Sequence, residues 1–319
     1  MSLSNLTVAI TSSRRAHELA HIVKIHGGDP YIVPTIGIVD TGTNRNEIKK
    51  FIKTAINNPL DFFIFMTGPS IHYLFKIASN LNMRDELAMA VRKSTVISRS
   101  EKPSAVLRTL GIKSDLLPKE NTTMGILEML KEEGMKQKRV AIIGNASGSK
   151  NLKNGLESKG STVLELPLFS YSSYLDETAD NILKEMGYLH EKPEIKSISK
   201  LIKDILNGKV HVITFTSPPS VLPLLKVADE EKNLPVLLST LNESVVVVSV
   251  GPSTTESLKQ NYISVDVMPE VHKMGPMVCA LADYITYCIY NPDQETKLTR
   301  VLKNVNVNLQ RHNHGSKTS

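Results

Sequence analysis

The chain alternates short, wholly apolar runs with stretches in which apolar positions recur every three or four residues, a pattern of buried strands interleaved with amphipathic helices. Leu6–Thr11 predicts a strand and Ala16–His26 a helix, stopped by Gly27-Gly28. Tyr31–Val39 is rich in β-formers but interrupted by Pro34, which predicts an edge or linker strand. A helix over Asn46–Asn57 ends at Asn58-Pro59. Phe62–Met66 is a continuous apolar strand of the kind found in parallel sheets covered on both faces. Further on, Pro69–Ser79, Pro103–Leu110 and Thr123–Glu133 predict helices, Val91–Ser98 a strand and Leu116–Leu117 a very short one.

A second round starts with the strand Arg139–Gly144, helix Asn151–Lys159 and strand Thr162–Phe169. Asp176–Gly208 predicts two helices around Pro193. Strand Val210–Thr216, helix Pro219–Ala228, strand Ser244–Val250, helix Thr254–Gln260, strand Ser264–Val267 and helix Gly275–Tyr290 follow. From residue 291 the sequence is polar, which predicts a short helix near Lys297–Val305 and then a disordered end.

The two rounds repeat one another. Asp61–Ser70 (DFFIFMTGPS) returns as His211–Ser220 (HVITFTSPPS), and Val96–Ser100 returns as Val247–Gly251. Val8-Ala-Ile-Thr, its helix and Gly28 return as Val140-Ala-Ile-Ile, its helix and Gly160. Strands alternating with helices predict parallel sheets, and a duplicated unit predicts two similar α/β lobes with a cleft between them.

Composition changes this picture little. Over 319 residues, 41% hydrophobic and 22% charged content suits a globular chain with two cores. The net charge of +6 is read first as a solvated basic surface and next as a match for a polyanionic small ligand. Nucleic acid comes last: aromatics are sparse at 5%, and no basic cluster is interleaved with them. Cys279 and Cys288 share one predicted helix, about 13 Å apart along its axis, too far to bridge. They read as buried thiols in a reducing cytosol. The chain opens on its first strand with no leader, and no apolar run approaches about 20 residues, so a cytoplasmic protein that crosses no membrane is expected.

Ligands of parallel α/β sheets bind at the carboxyl ends of the strands. Here those ends are small, hydroxyl-bearing or glycine-containing turns that feed helix starts: Thr11-Ser12-Ser13, Thr67-Gly68-Pro69-Ser70, Ser98–Ser100, Gly144–Ser149, Thr216-Ser217-Pro218 and Ser249–Ser253. Any one such hydroxyl reads as a helix N-cap, but six such turns together suit a ligand bearing carboxylates or phosphates. Gly144-Asn-Ala-Ser-Gly148-Ser-Lys150 has the look of an anion-binding loop without the spacing of a nucleotide-hydrolysing one. His17-Glu18-Leu19-Ala20-His21 matches the zinc-peptidase signature. It lies on the first helix of an α/β unit, with both histidines on the flank away from Ala16, Leu19, Ala20 and Val23, so a zinc peptidase is the third reading of this chain and no metal site is expected.

At the repeated turns the chain resembles the uroporphyrinogen-III synthase family, over about residues 6–290. The pieces that carry the resemblance are Phe215–Val221 (FTSPPSV) and Val250–Leu258 (VGPSTTESL), supported by the order of the other blocks. The resemblance implies two parallel-sheet α/β lobes joined by a two-stranded β linker. The first lobe would span 1–36 and 172–290, the second 37–171, the linker strands would lie near Pro34–Val39 and Pro167–Tyr174, and 291–319 would be a tail. It implies a monomer that cyclises linear hydroxymethylbilane with loss of water and inversion of one ring, using neither metal nor organic cofactor, in transient contact with hydroxymethylbilane synthase. By resemblance Thr254, Ser217 and Thr67 fall on binding positions of the family, while Thr11, Ser70, Ser100, Ser104, Lys150, Thr216, Gly251 and Ser253 complete the expected substrate-binding set from the turns. Three positions depart from the family pattern. Pro103 stands for a threonine, Ser149 for an arginine with Lys150 next, and Phe169 for a tyrosine. Phe169 is kept as a contact residue, and Tyr171, two positions on along the same strand, is the expected catalytic residue in its stead. The departures leave a second reading open: a paralogue that binds a tetrapyrrole or another anion without cyclising it.

Overall fold

The computed structural model describes residues 3–131, 133–291 and 297. The chain divides into two compact units: Met1–Gly37, Ser172–Leu175 and Leu189–Ser319 in the first, Ile38–Tyr171 and Asp176–Tyr188 in the second. The segment Asp176–Tyr188 therefore goes with the second unit, where the sequence reading put it with the first. The expected tail helix near Lys297–Val305 lies outside the described residues except at Lys297, whose Nζ pairs with Asp266 at 2.9 Å.

In chain order the elements open with β1 (Thr7–Ile10), α1 (Ala16–Ile25) and β2 (Asp29–Ile32). Next come β3 (Gly37–Asp40), α2 (Arg45–Asn57), β4 (Phe62–Phe65), α3 (Gly68–Asn80), α4 (Arg84–Arg92), β5 (Thr95–Ser98), α5 (Glu101–Thr109) and α6 (Thr123–Met129). These lead into β6 (Arg139–Asn145), α7 (Ala146–Glu157), β7 (Thr162–Ser172) and α8 (Glu177–Glu185). The chain returns with α9 (Ile195–Leu206), β8 (Val212–Phe215), a 3-10 turn Pro218–Ser220, α10 (Val221–Glu230), α11 (Leu234–Glu243), β9 (Val246–Ser249), α12 (Pro252–Gln260) and α13 (Met274–Tyr290).

The first unit holds a four-stranded sheet ordered β2-β1-β8-β9, parallel at every pair. Its strands are apolar on both sides because both faces are covered. Val8, Ile10, Val212, Val246 and Val248 pack with α1 and α13. The alternate residues Ala9, Ile213, Phe215 and Val247 pack with α9, α10 and α11. The second unit holds five strands ordered β3-β7-β6-β4-β5, with β7, β6, β4 and β5 mutually parallel. Phe62, Ile64, Val140 and Ile142 pack there against Ile126 and Leu130 of α6 and Leu152 and Leu156 of α7.

The repeat seen in the sequence is a repeat of hydrogen bonds. Beyond β5, Asp115 Oδ2 accepts Val96 N–H at 2.8 Å, and Leu116 makes a parallel bridge to Ile97. Beyond β9, Asp266 Oδ2 accepts Val247 N–H at 2.7 Å, and Val267 bridges Val248. In both units a carboxylate so pins a further short extended segment onto the sheet edge.

Several elements differ from expectation. Helices α4 and α11 were not foreseen, and Val91 ends α4 rather than opening a strand. Helix α7 starts at Ala146, so the supposed anion loop 144–150 is largely the first turn of a helix. Cys288 is buried as expected, but Cys279 is exposed. Among the described residues no helix is long and apolar enough to cross a membrane.

Strand β8 is tied to β1 by a side chain as well as by the ladder: His211 Nδ1 accepts the Thr7 N–H at 2.9 Å. Burial pushes the imidazole below its ordinary value of 6.5. The unfolded chain then takes the proton more readily, so this contribution is complete above about 6.5 and is lost as pH falls through that value towards the lower folded pKa. Urea midpoints measured from about pH 7 down to about pH 5 should decline. His211→Asn, neutral throughout, should flatten that part of the profile; an unchanged slope would rule His211 out as its source.

Candidate functional site

The parallel ladders bring the expected residues of each unit to one sheet edge. In the second unit, Phe65 pairs with Ser98 on one side and Ile143 on the other. Two residues on, Thr67, Ser100 and Asn145 come level, and Asn145 pairs with Phe169. Thr67, Ser100 and Asn145 are the N-caps of α3, α5 and α7, yet none caps its helix through its side chain. Three helix starts thus present first-turn N–H groups and positive dipole ends at this edge.

The fates of the individual side chains vary. Thr67 Oγ1 hydrogen-bonds Ser70 Oγ at 2.7 Å, and Ser70 is fully buried. Ser104 is 3% exposed and accepts a weak 3.4 Å bond from Arg108. Ser149, also buried, donates to the Asn145 carbonyl and to Glu165 Oε1, which fastens the start of α7 to β7. Lys150 is exposed on α7. Phe169 is 2% exposed, its ring 5.4 Å from that of Tyr73. Tyr171 is partly exposed, and its hydroxyl has no partner among the described residues. Ser70, Ser104 and Phe169, expected to touch substrate, are buried positions in this structure.

In the first unit Thr11 is likewise a buried position. It is fully buried, and Thr11 Oγ1 donates to the Thr214 carbonyl at 2.8 Å while Thr214 Oγ1 donates to the Ala9 carbonyl at 2.9 Å. Thr216 and Ser217 are half-buried, and the Ser217 carbonyl accepts from both Ser220 N and Ser220 Oγ, closing the 3-10 turn. Gly251 is the N-cap of α12, again without a side-chain cap. Ser253 is exposed on the first turn, and Thr254 is 1% exposed with no hydroxyl partner among the described residues. The Gly251 backbone is extended at φ 173°, a shape open to any residue, so conformation does not demand glycine. Space there is tight: His272 Cγ lies 3.0 Å from where a Cβ would stand, so the histidine would have to give by a few tenths of an ångström.

Three buried side-chain polar atoms lack a partner among the described residues: Ser12 Oγ, Arg99 Nε and Asn145 Oδ1. All three sit at the carboxyl end of a strand, after β1, after β5 and at the end of β6. Buried polar atoms are almost always paired, with protein groups or with water, so the three stand out among the described residues. Sequence reasoning had not singled out Arg99, Tyr73 or His272. Arg99 departs from the small residues of the turns around it, a signal that could have been read. Tyr73 lies one turn beyond Ser70 on α3; its phenol donates to Asp40 at 3.2 Å, and burial, then Asp40, pushes its pKa up. Nothing in the spacing ties His272 to Gly251. The zinc-peptidase motif is spent on surface pairs, His17 with Glu191 at 2.8 Å and Glu18 with Arg15. Among the described residues no group of three or more His, Cys, Asp or Glu is placed to hold a metal.

Parallel sheets on which polar turns, uncapped helix starts and unpartnered polar atoms gather at the carboxyl edges define a parallel α/β protein, a class whose ligands bind at such edges. The family model described as Uroporphyrinogen-III synthase HemD matches residues 17–279, and the chain belongs to that family. It is similar to the uncharacterized protein YjjA of Bacillus subtilis (26% identical over 277 residues, 87% of this chain and 95% of the relative). It is also similar to a putative uroporphyrinogen-III synthase of Methanothermobacter thermautotrophicus (27% over 269 residues, 84% and 94%). Among solved structures, a mutant uroporphyrinogen III synthase of Thermus thermophilus shares the fold, with a TM-score of 0.67 at 19% identity, covering 88% of this chain and 99% of that one.

The close approach of β6 to β4 at this edge gives a direct test. A Cβ on Gly144 would stand 2.6 Å from Met66 Cβ, inside any real contact. Gly144→Ala is expected to cost about 1–3 kcal/mol, read as a lower urea midpoint; an unchanged midpoint would mean that the two strand ends part freely.

Proposed function

We propose that this protein is a uroporphyrinogen-III synthase: it takes linear hydroxymethylbilane, expels water, inverts the last ring and closes the macrocycle. The observation that carries this reading is made in each unit by itself: buried, unpartnered polar atoms (Ser12 Oγ in the first, Arg99 Nε and Asn145 Oδ1 in the second) lie at the carboxyl edge of a sheet that also presents uncapped helix starts. The substrate bears many acetate and propionate carboxylates and a hydroxyl, which need donors and an acceptor of this kind. First-turn N–H groups at Thr67, Ser100 and Gly251 supply the donors, with the hydroxyls of Thr216, Ser217 and Ser253 and the point charge of Lys150. Thr254 acts through its backbone and its unshared hydroxyl. Holding a flexible linear tetrapyrrole so that its reactive end meets the inverted ring removes much of the entropic barrier. Tyr171 contributes a hydrogen bond to the substrate from β7. The reading places the protein in cytoplasmic tetrapyrrole biosynthesis as a monomer that receives its substrate from hydroxymethylbilane synthase.

A second reading, a paralogue that binds a tetrapyrrole or another anion without catalysis, is favoured by one observation: Phe169 and Ser104 are buried where substrate contacts were expected. The isomer assay separates the two. Coupled to hydroxymethylbilane synthase, the purified protein should give mainly the type III isomer. Type I alone, the spontaneous product, would sink the enzyme reading and leave the binding one, which uroporphyrin titration would then check. Within the enzyme reading, Tyr171→Phe should lower turnover about two- to tenfold, as expected from one hydrogen bond of about 0.5–1.5 kcal/mol. No change in turnover would remove Tyr171 from the site.

A further inference from the structure

The α12 turn of the first unit holds a group that no part of the reading above uses. His272 lies on the loop between Val267 and α13, exposed, with its imidazole laid on the backbone of Gly251. The contact is broad: ring atoms Cγ and Cδ2 and the side-chain Cβ all lie 3.0–3.2 Å from the position a Gly251 Cβ would take. A Cβ at Gly251 would therefore push the ring aside by a few tenths of an ångström, while the extended φ of the turn itself places no demand for glycine. The seat is the N-terminal turn of a nine-residue helix with no side-chain cap, beside exposed Ser253 and Thr254, a residue 1% exposed whose hydroxyl has no protein partner among the described residues. No acidic side chain among the described residues pairs with His272, in contrast to His17 and His72, each held by a glutamate.

The proposed reaction begins by breaking a C–O bond whose leaving hydroxide needs a proton. Serine and threonine hydroxyls are too weakly acidic to give one, Phe169 has none to give, and a phenol or an ammonium group gives up its proton less readily than an imidazolium. An imidazolium is the side-chain acid suited to proton transfer near neutral pH. We propose that His272 donates the proton on which this hydroxyl leaves as water, a role that rests on the synthase reading. The bonding pair of the C–O bond departs on oxygen, which takes the imidazolium proton. The pyrrole nitrogen supplies the electron pair of the new exocyclic double bond, giving an azafulvenium cation and a neutral imidazole. Ring closure and rearomatisation release a proton that restores the imidazolium, so the balance is substrate to macrocycle plus water.

The test compares wild type, His272→Ala and His272→Gln in the coupled isomer assay, with circular dichroism and thermal midpoints to show that the exposed substitutions leave the fold intact. Both variants should lose about 10²-fold in kcat for the type III isomer with KM held, and added imidazole should restore part of the lost rate to His272→Ala alone. Unchanged kcat, a loss confined to KM, or a loss that imidazole does not relieve in a folded His272→Ala would each overturn the proton-donor role and leave the synthase reading standing. A wild type that yields only the type I isomer would overturn both.

Discussion

Parallel pairing of strands buried on both faces is the constraint from which the rest of this structure follows. Such strands must all leave their sheet at the same edge, and every connection must climb back over a face as a helix. In β4, β8 and β9 every residue is buried, so chemistry has no room along the strands. It is displaced to the carboxyl edges, where backbone donors of α3, α5, α7 and α12 begin unpaired. The carboxylates of Asp115 and Asp266 serve the same constraint: each closes the edge of a sheet by binding a strand N–H that no further strand would meet.

That constraint explains what could be read in the sequence. The runs Phe62–Phe65, Val212–Phe215 and Val246–Ser249 declare themselves because a strand covered on both faces is apolar along nearly its whole length. The repeat is visible because both units solve one problem with one pattern. Helix α11 escaped notice because Pro235 reads as a breaker, although at the second helical position a proline costs no hydrogen bond. Helix α4 buries only Leu87, Ala88 and Val91, too few apolar positions to show a period, and the β-branched run that follows drew Val91 into a predicted strand.

The candidate residues were legible in position but not in duty. A serine or threonine at a strand end can face a ligand, cap a helix or lock two strands, and sequence offers no way to choose. Thr11 and Thr214 lock β1 to β8, Ser70 answers Thr67, and Ser149 fastens α7 to β7. Burial separates them: Thr216, Ser217, Ser253 and Lys150 reach the surface at least in part, while Thr11, Ser104 and Phe169 are buried. The contact between His272 and Gly251 joins residues 21 positions apart through packing alone, so only coordinates reveal how tight that turn is.

The placement of α8 has a consequence for the molecule as a polymer. Three segments of the first unit alternate along the chain with two of the second, which makes four covalent junctions, at 37/38, 171/172, 175/176 and 188/189. A protein whose domains follow one another like beads comes apart at one cut. Here a nick at any single junction leaves the units tethered through the other three, each tether keeping the local concentration of one unit about the other high. At the first junction Gly37 has the backbone of Tyr174 pressed so close that a Cβ would run into its carbonyl oxygen. The chain is thus knitted where a simpler topology would be merely linked, and its integrity is shared among crossings that no single cut severs together.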